Sequence, residues 1–238
     1  LGASAVLQFG DGCRIELAAN ETLDSAAQKL KFSTGTSIIA GNGNTLTMAT
    51  ADAIEVAAGT TLKLQDLHVI GLKNACYMKL SGSTSKVELY DTELVLDGHY
   101  TFTTGHMDVY GSSVIAGQDH GFEWTSEGSL TIKSDATLKF DSGTTFVYNA
   151  TPTGGGDGKS HLVMTDASSY LHLDGCTLYS TTTGLVLSDG RLYLENAVTV
   201  SSGASSWAEA LMLDSTDSLK IHLLGNAVLN ADGYIAYR

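Results

Sequence analysis

Val87-Glu88-Leu89, with Asp91 four places after Val87, is followed twenty residues later by Met107-Asp108-Val109, with Gly111 in the same place. An apolar, any, apolar triplet has the period of two of a β-strand, not the 3.6 of a helix. The same unit recurs at Leu62-Lys63-Leu64, Leu130-Thr131-Ile132, Leu171-His172-Leu173, Leu192-Tyr193-Leu194 and Leu219-Lys220-Ile221, and more loosely from Ile15 and Ile38. Successive starts lie 23, 24, 25, 20, 23, 41, 21 and 27 positions apart. A period in the low twenties marks a solenoid, in which a repeat cannot bury its own apolar face and must stack on its neighbours.

Each repeat continues through a polar turn, a second apolar run and a third strand such as Ile54-Glu55-Val56, Met78-Lys79-Leu80, Leu162-Val163-Met164, Leu185-Val186-Leu187 or Leu211-Met212-Leu213. Three strands and three corners predict a triangular coil, and the whole chain predicts about nine of them in one domain, 1–238. Four places after each triplet start stand Ala19, Asn42, Asp66, Asp91, Gly111, Ser134, Gly175, Asn196 and Leu223. Six of these are Gly, Asn or Asp, the residues that take positive φ at least cost, so they predict tight strand-to-strand corners. The 41-residue spacing predicts an insertion around 145–160, with an extra strand near Phe146-Val147-Tyr148 leading into a glycine-rich loop. Helical periodicity is nearly absent; Glu21 to Leu30 and Ala204 to Leu211 could each hold a turn.

With this coil pattern, and with Ile38-Ile39-Ala40-Gly41-Asn42-Gly43-Asn44-Thr45-Leu46 as an early coil, the chain resembles the right-handed parallel β-helix, pectate-lyase-like superfamily. The resemblance is one of fold and implies right-handed coiling, in keeping with the rule for parallel crossovers. That group includes polysaccharide lyases, tailspikes and adhesin passenger domains.

Composition narrows the function. The chain has 238 residues with one proline, 26 glycines, 16% charged residues and a formal charge of −13. Such a charge repels phosphate backbones and anionic membranes, which argues against nucleic acid as a partner. No apolar run is long enough to span a membrane. Cys13, Cys76 and Cys176 form no CxxC pair, the seven histidines are scattered, and Asp-Gly dipeptides occur without a calcium-binding nonapeptide. Free thiols, no metal and no cofactor are therefore expected. Gly154-Gly155-Gly156-Asp157-Gly158-Lys159-Ser160 ends like a phosphate loop, but Thr153 stands where the first glycine belongs and a strand, not a helix, is expected after it. Because the chain starts at Leu1, a signal peptide or a neighbouring region upstream is expected to have been removed.

Paired carboxylates are what a glycoside hydrolase needs. Reading one outward residue per triplet gives the column Glu16, Lys63, Glu88, Asp108, Thr131, His172, Tyr193, Lys220, in which Glu88 and Asp108 are neighbours about 5 Å apart. They are the candidate catalytic pair, yet an ordinary solvated sheet face would look the same, with Lys63 pairing to Glu88. On either reading they are expected to be exposed. The motifs of the hydrolases in the superfamily are missing, apart from an echo at Asp119-His120-Gly121, and few basic residues stand ready for a lyase.

On the third strand the outward residues run Glu55, Lys79, Glu123, Val163, Val186, Met212, so one end of that face is apolar. Either a neighbouring segment covers it or another molecule contacts it. Tyr193, Trp124 and Tyr170 are the outward aromatic candidates for binding a glycan.

At the ends, Val6, Leu7 and Phe9 match a third strand, and so do Tyr234, Ile235 and Tyr237, with no polar cap at either. A longer parent solenoid, short terminal caps, or head-to-tail stacking of copies would each account for this. The function expected is an extracellular or cell-surface structural or adhesive module, with itself or other surface proteins as partners. The alternatives are a carbohydrate-active enzyme and a glycan-binding β-helix.

Overall fold

The computed structural model describes residues 6–24, 29–74, 78–150, 161–181, 184–203, 209–214, 218–232 and 234–237. All of its strand pairs are parallel, and they stack as a β-solenoid of about eight turns, close to the nine expected. Each turn contributes one strand to each of three faces.

The second face carries the triplets that decide the fold. It runs Arg14–Glu16, Thr36–Ala40, Thr61–Gln65, Lys86–Tyr90, His106–Tyr110, Leu130–Ile132 and Leu162–Met164. The strands Leu185–Leu187, Glu209–Leu213 and Tyr234–Tyr237 form a three-stranded sheet that adjoins its end. The first face begins with Val6–Phe9, Lys29–Phe32, Ile54–Val56 and Met78–Leu80, and resumes as a separate sheet at Tyr100–Phe102. The third face runs from Glu21–Leu23 to Tyr170–Asp174. The long strand Arg191–Ser202 pairs with both Tyr170–Asp174 and Thr177–Ser180, and so joins the third face to the later part of the first.

Alternation fills the interior. In strands such as Lys29–Phe32, Thr45–Met48 and Thr137–Phe140, every second side chain is buried. One apolar cluster extends from Leu17 to Leu211, with Phe102 stacked on Trp124 and Phe9 on Phe32 from one turn to the next. Each fully buried large side chain among these, Phe32, Phe102 and Trp124, contributes about 1.5–3 kcal/mol. The corners do what their residues predict: Asn42, Asp66, Asp91, Gly111, Gly175 and Asn196 all have positive φ. Asp91 also accepts a hydrogen bond at 2.7 Å from the backbone N–H of Ser112, so this corner is riveted to the next turn.

Several expectations are corrected. Leu130 pairs with Leu162, so Leu162-Val163-Met164 belongs to the second face and not to the third strand of its coil. Leu171 pairs with Leu138, which puts the triplets from Leu171 onward on the third face. Nine positions of the long spacing come from stepping from Leu162 on one face to Leu171 on the next, because an apolar triplet looks the same on each; the same-face step from Leu130 to Leu162 is still 32 residues, against 23 from Met107 to Leu130, so this turn is longer than its neighbours. Phe146 pairs with Phe122 and Leu178, so Thr145–Tyr148 is a regular member of the stack and not an extra strand. Ile15 pairs with Ile39, which moves Glu16 out of the Lys63 column and puts Arg14 and Ile38 into it. Lys220 likewise pairs with Arg191. Glu21–Leu23, Lys29–Phe32 and Glu209–Leu213 are strands where helical turns were expected. The loop 151–160, Cys76, residues 25–28 and residues 204–208 lie outside the described residues.

Candidate functional site

The middle of the second face holds the densest arrangement of charge. Register places Glu88 directly beside Asp108, as the triplets predict, with Lys63 before them and Thr131 and Val163 after. Their exposure differs from the expectation: Glu88 is 8% and Asp108 3% accessible. The cover comes from residues two places along each strand and from neighbouring turns. Tyr90 and Tyr110 stack with ring centroids 4.5 Å apart and planes 2° from parallel. Lys63 and Lys133 stand over the outer faces of this pair, 5.4 Å from the Tyr90 centroid and 5.9 Å from that of Tyr110.

Beneath the rings each carboxylate is held through one of its oxygens. Glu88 receives the Lys63 ammonium at 3.0 Å and the Tyr90 hydroxyl at 3.0 Å. Asp108 receives Lys86 at 3.0 Å and Lys133 at 3.1 Å, both on the same oxygen. These contacts shift the partners. The hydrogen bond to Glu88 raises the pKa of Lys63, and the hydrogen bond to Asp108 raises that of Lys86. Burial, reinforced by the charge of Glu88, raises both tyrosines, so neither phenol is disposed to act as a base. Three ammonium groups on two carboxylates under a ring pair make a clasp across four turns. Lys133, Tyr90 and Tyr110 were not singled out from sequence, although the tyrosines' place two residues after each acid was the available signal.

The apolar residues fall on this same face. Val163, 39% exposed, follows Thr131, while Val186 and Met212 are paired neighbours in the adjoining sheet and half-buried. Glu55, Lys79 and Glu123 lie on the first face, so the single mixed column expected is two columns on two faces.

Of the aromatic candidates, Trp124 points inward and is fully buried. Tyr170 and Tyr193 do face outward on the third face, stacked at 5.5 Å, with Arg191 5.2 Å from the Tyr170 ring and His222 beside Tyr193.

At one end Val6 and Leu7 are exposed, and Leu7, Phe9, Ile15, Leu17 and Leu23 line a cavity of about 430 Å³. At the other, Ile221, Leu223, Val228 and Leu229 are exposed, while Ile235 is half-buried; the side chains of Tyr234 and Tyr237 lie outside the described residues. Among the described residues no group of three metal-ligating side chains converges, and no helix is long and apolar enough to cross a membrane. Compared with known proteins, the chain matches no family model, no curated protein and no solved structure.

Proposed function

We propose that this chain is a rigid structural or adhesive β-solenoid module of an extracellular or cell-surface protein, and that it stacks head to tail on its own copies. The observation that carries this reading is the use made of surface charge. Ten ion pairs between described residues join different turns, from Lys29–Asp52 to His172–Glu195, whereas Arg14–Glu16 lies within one strand. Exposed pairs contribute only about 0.2–1 kcal/mol each, but a network along the axis resists bending and slippage. Such a surface serves shape. In the same reading the chain is a right-handed member of the pectate-lyase-like group, and it presents its ladders to surface proteins or glycans.

Stacking is supported by the exposed apolar residues at both ends, because parallel strand edges and an open apolar interior are complementary to one more turn of the same kind. Sedimentation over a hundredfold concentration range, with electron microscopy of the same samples, tests it. Rods that lengthen with concentration are expected, and Ile235→Lys with Ala236→Glu, or Leu223→Lys alone, should shorten them. A stable monomer at every concentration would end the stacking part of the proposal.

A further inference from the structure

The first face contains a break between two successive turns. Its four-stranded sheet stops at Met78–Leu80, and the next turn's strand, Tyr100–Phe102, starts a different sheet. Each has its proper neighbour on the far side, Ile54–Val56 for the former and Gly121–Trp124 for the latter. No ladder joins them, and most Cα separations between them exceed 8 Å. Paired strands lie about 4.8 Å apart, so these two stand wider than a paired couple, and the gap is bounded where the two turns meet again, Asn74 N–H on His99 C=O at 2.5 Å and His106 N–H on Ser85 C=O at 2.9 Å.

The edges of the gap carry backbone groups. Ser81 N–H bonds to Val56 on the far side, so by the alternation of a parallel strand the N–H and C=O of Met78 and Leu80 point into the gap. Phe102 C=O is taken by Thr125 and Ser126 on its own far side, which leaves Thr101 pointing in. Two side chains act as stand-ins: Tyr100 donates its hydroxyl to Met78 C=O at 3.2 Å, and Asn74 accepts from Thr101 N–H at 2.8 Å. Between them is a cavity of about 330 Å³ whose apolar floor is Met78, Leu80, Tyr100 and Phe102.

The outward column identifies what would fit. Lys31, Glu55 and Lys79 follow one another in register, and Lys31 pairs with Glu55 at 3.4 Å. Lys79 is exposed and, among the described residues, has no ion-pair partner. The next position in the alternation is the gap itself.

We propose that the slot between Met78–Leu80 and Tyr100–Phe102 accepts an extended peptide strand from a partner protein, with an acidic residue facing Lys79 and an apolar residue on each side of it. The entering backbone takes over the bonds of Met78 and Leu80 as an added strand, the two apolar side chains enter the floor, and the carboxylate pairs with Lys79. This inference does not depend on head-to-tail stacking, since the slot is in the wall of the solenoid and not at its ends.

The probe is a fluorescent, end-capped peptide copying residues 51–58, Ala-Asp-Ala-Ile-Glu-Val-Ala-Ala, which carries the required pattern. Anisotropy with the full chain should show saturable binding. Replacing the peptide's Glu by Lys should weaken it about fivefold, the scale of a partly exposed ion pair. The exposed substitution Lys79→Glu should reverse that preference while leaving the fold intact, and N-methylation of the peptide backbone should abolish binding. Absence of saturable binding would overturn the proposal. So would binding that ignores the Lys79 exchange, which would put the peptide on another strand edge.

Discussion

The carboxylate of Asp108 lies 3.1 Å from the ammonium of Lys133, one turn further along, and the same oxygen is held at 3.0 Å by Lys86 from the turn before. One nearly buried acid thus ties three turns together, and its loss is felt on both sides.

Asp108→Ala should lower stability by about 2 kcal/mol. Removing one partner of a fully buried pair costs about 3–5 kcal/mol, and the two lysines are partly solvated, which reduces the penalty. Glu88→Gln should cost less, because Lys63 keeps its contact with the Tyr90 ring. Chemical denaturation midpoints measure both. The burial of the two acids thus replaces the fraction of a kcal/mol expected of exposed residues. The double variant Glu88→Gln, Asp108→Asn also tests function: reducing-end release from acidic polysaccharides that is present in the natural chain and vanishes in the variant would overturn the structural proposal.

Acid should loosen the rod through Glu123. Burial alone would raise its pKa, but hydrogen bonds from His99, Asn149 and Thr101 outweigh that and hold it below the usual 4.5. A carboxyl lowered in the folded state contributes stability above its unfolded pKa and loses it as pH falls through the folded value. Melting temperature should therefore drop as pH is taken from about 5 towards 3. Glu123→Gln should flatten that slope, and an unchanged slope would show that Glu123 is not responsible.

Cysteine reactivity should follow burial. Cys176 lies in the core, and burial pushes its thiol up to about 12, whereas Cys13 is half-buried. Under native conditions an alkylating reagent should label Cys13 well before Cys176. After unfolding without reductant, intact mass should show three adducts, Cys76 included; a missing pair would mean a bridge.

The corner at Asp91, with φ of 49°, tolerates some residues and not others. Asp91→Gly should cost about 1 kcal/mol for the lost hydrogen bond to Ser112 N–H. Asp91→Val adds the strain of a β-branched residue in the left-handed region, a further 1–2 kcal/mol or so. Equal destabilisation by the two would contradict the role assigned to this corner.

Glu21 stands in register with Leu46, whose column continues inward through Val69. It is an exposed acid in an apolar column at the mouth of the solenoid. If copies stack there, Glu21→Leu should lengthen the assemblies by removing a charge that stacking must cover. Shorter assemblies from that variant would contradict end stacking.

Local chemistry in the sequence was enough to determine the period, the strand character of each triplet and the corners. Asn42, Asp66, Asp91, Gly111, Gly175 and Asn196 bend as they do because positive φ is a property of a single residue. The adjacency of Glu88 and Asp108 was legible for a similar reason: their turns are short, with little room for register to slip. Only the tertiary structure decided which face a later triplet joins. Leu171 and Leu130 carry the same pattern, and the lengths of distant corners, not the pattern, put them on different faces. Tertiary packing also determined that Trp124 points inward, that the tyrosines and lysines bury the two acids, and that the first face opens beyond Leu80. Each of these is set by contacts between residues some twenty or more positions apart, which alternation within one strand does not encode.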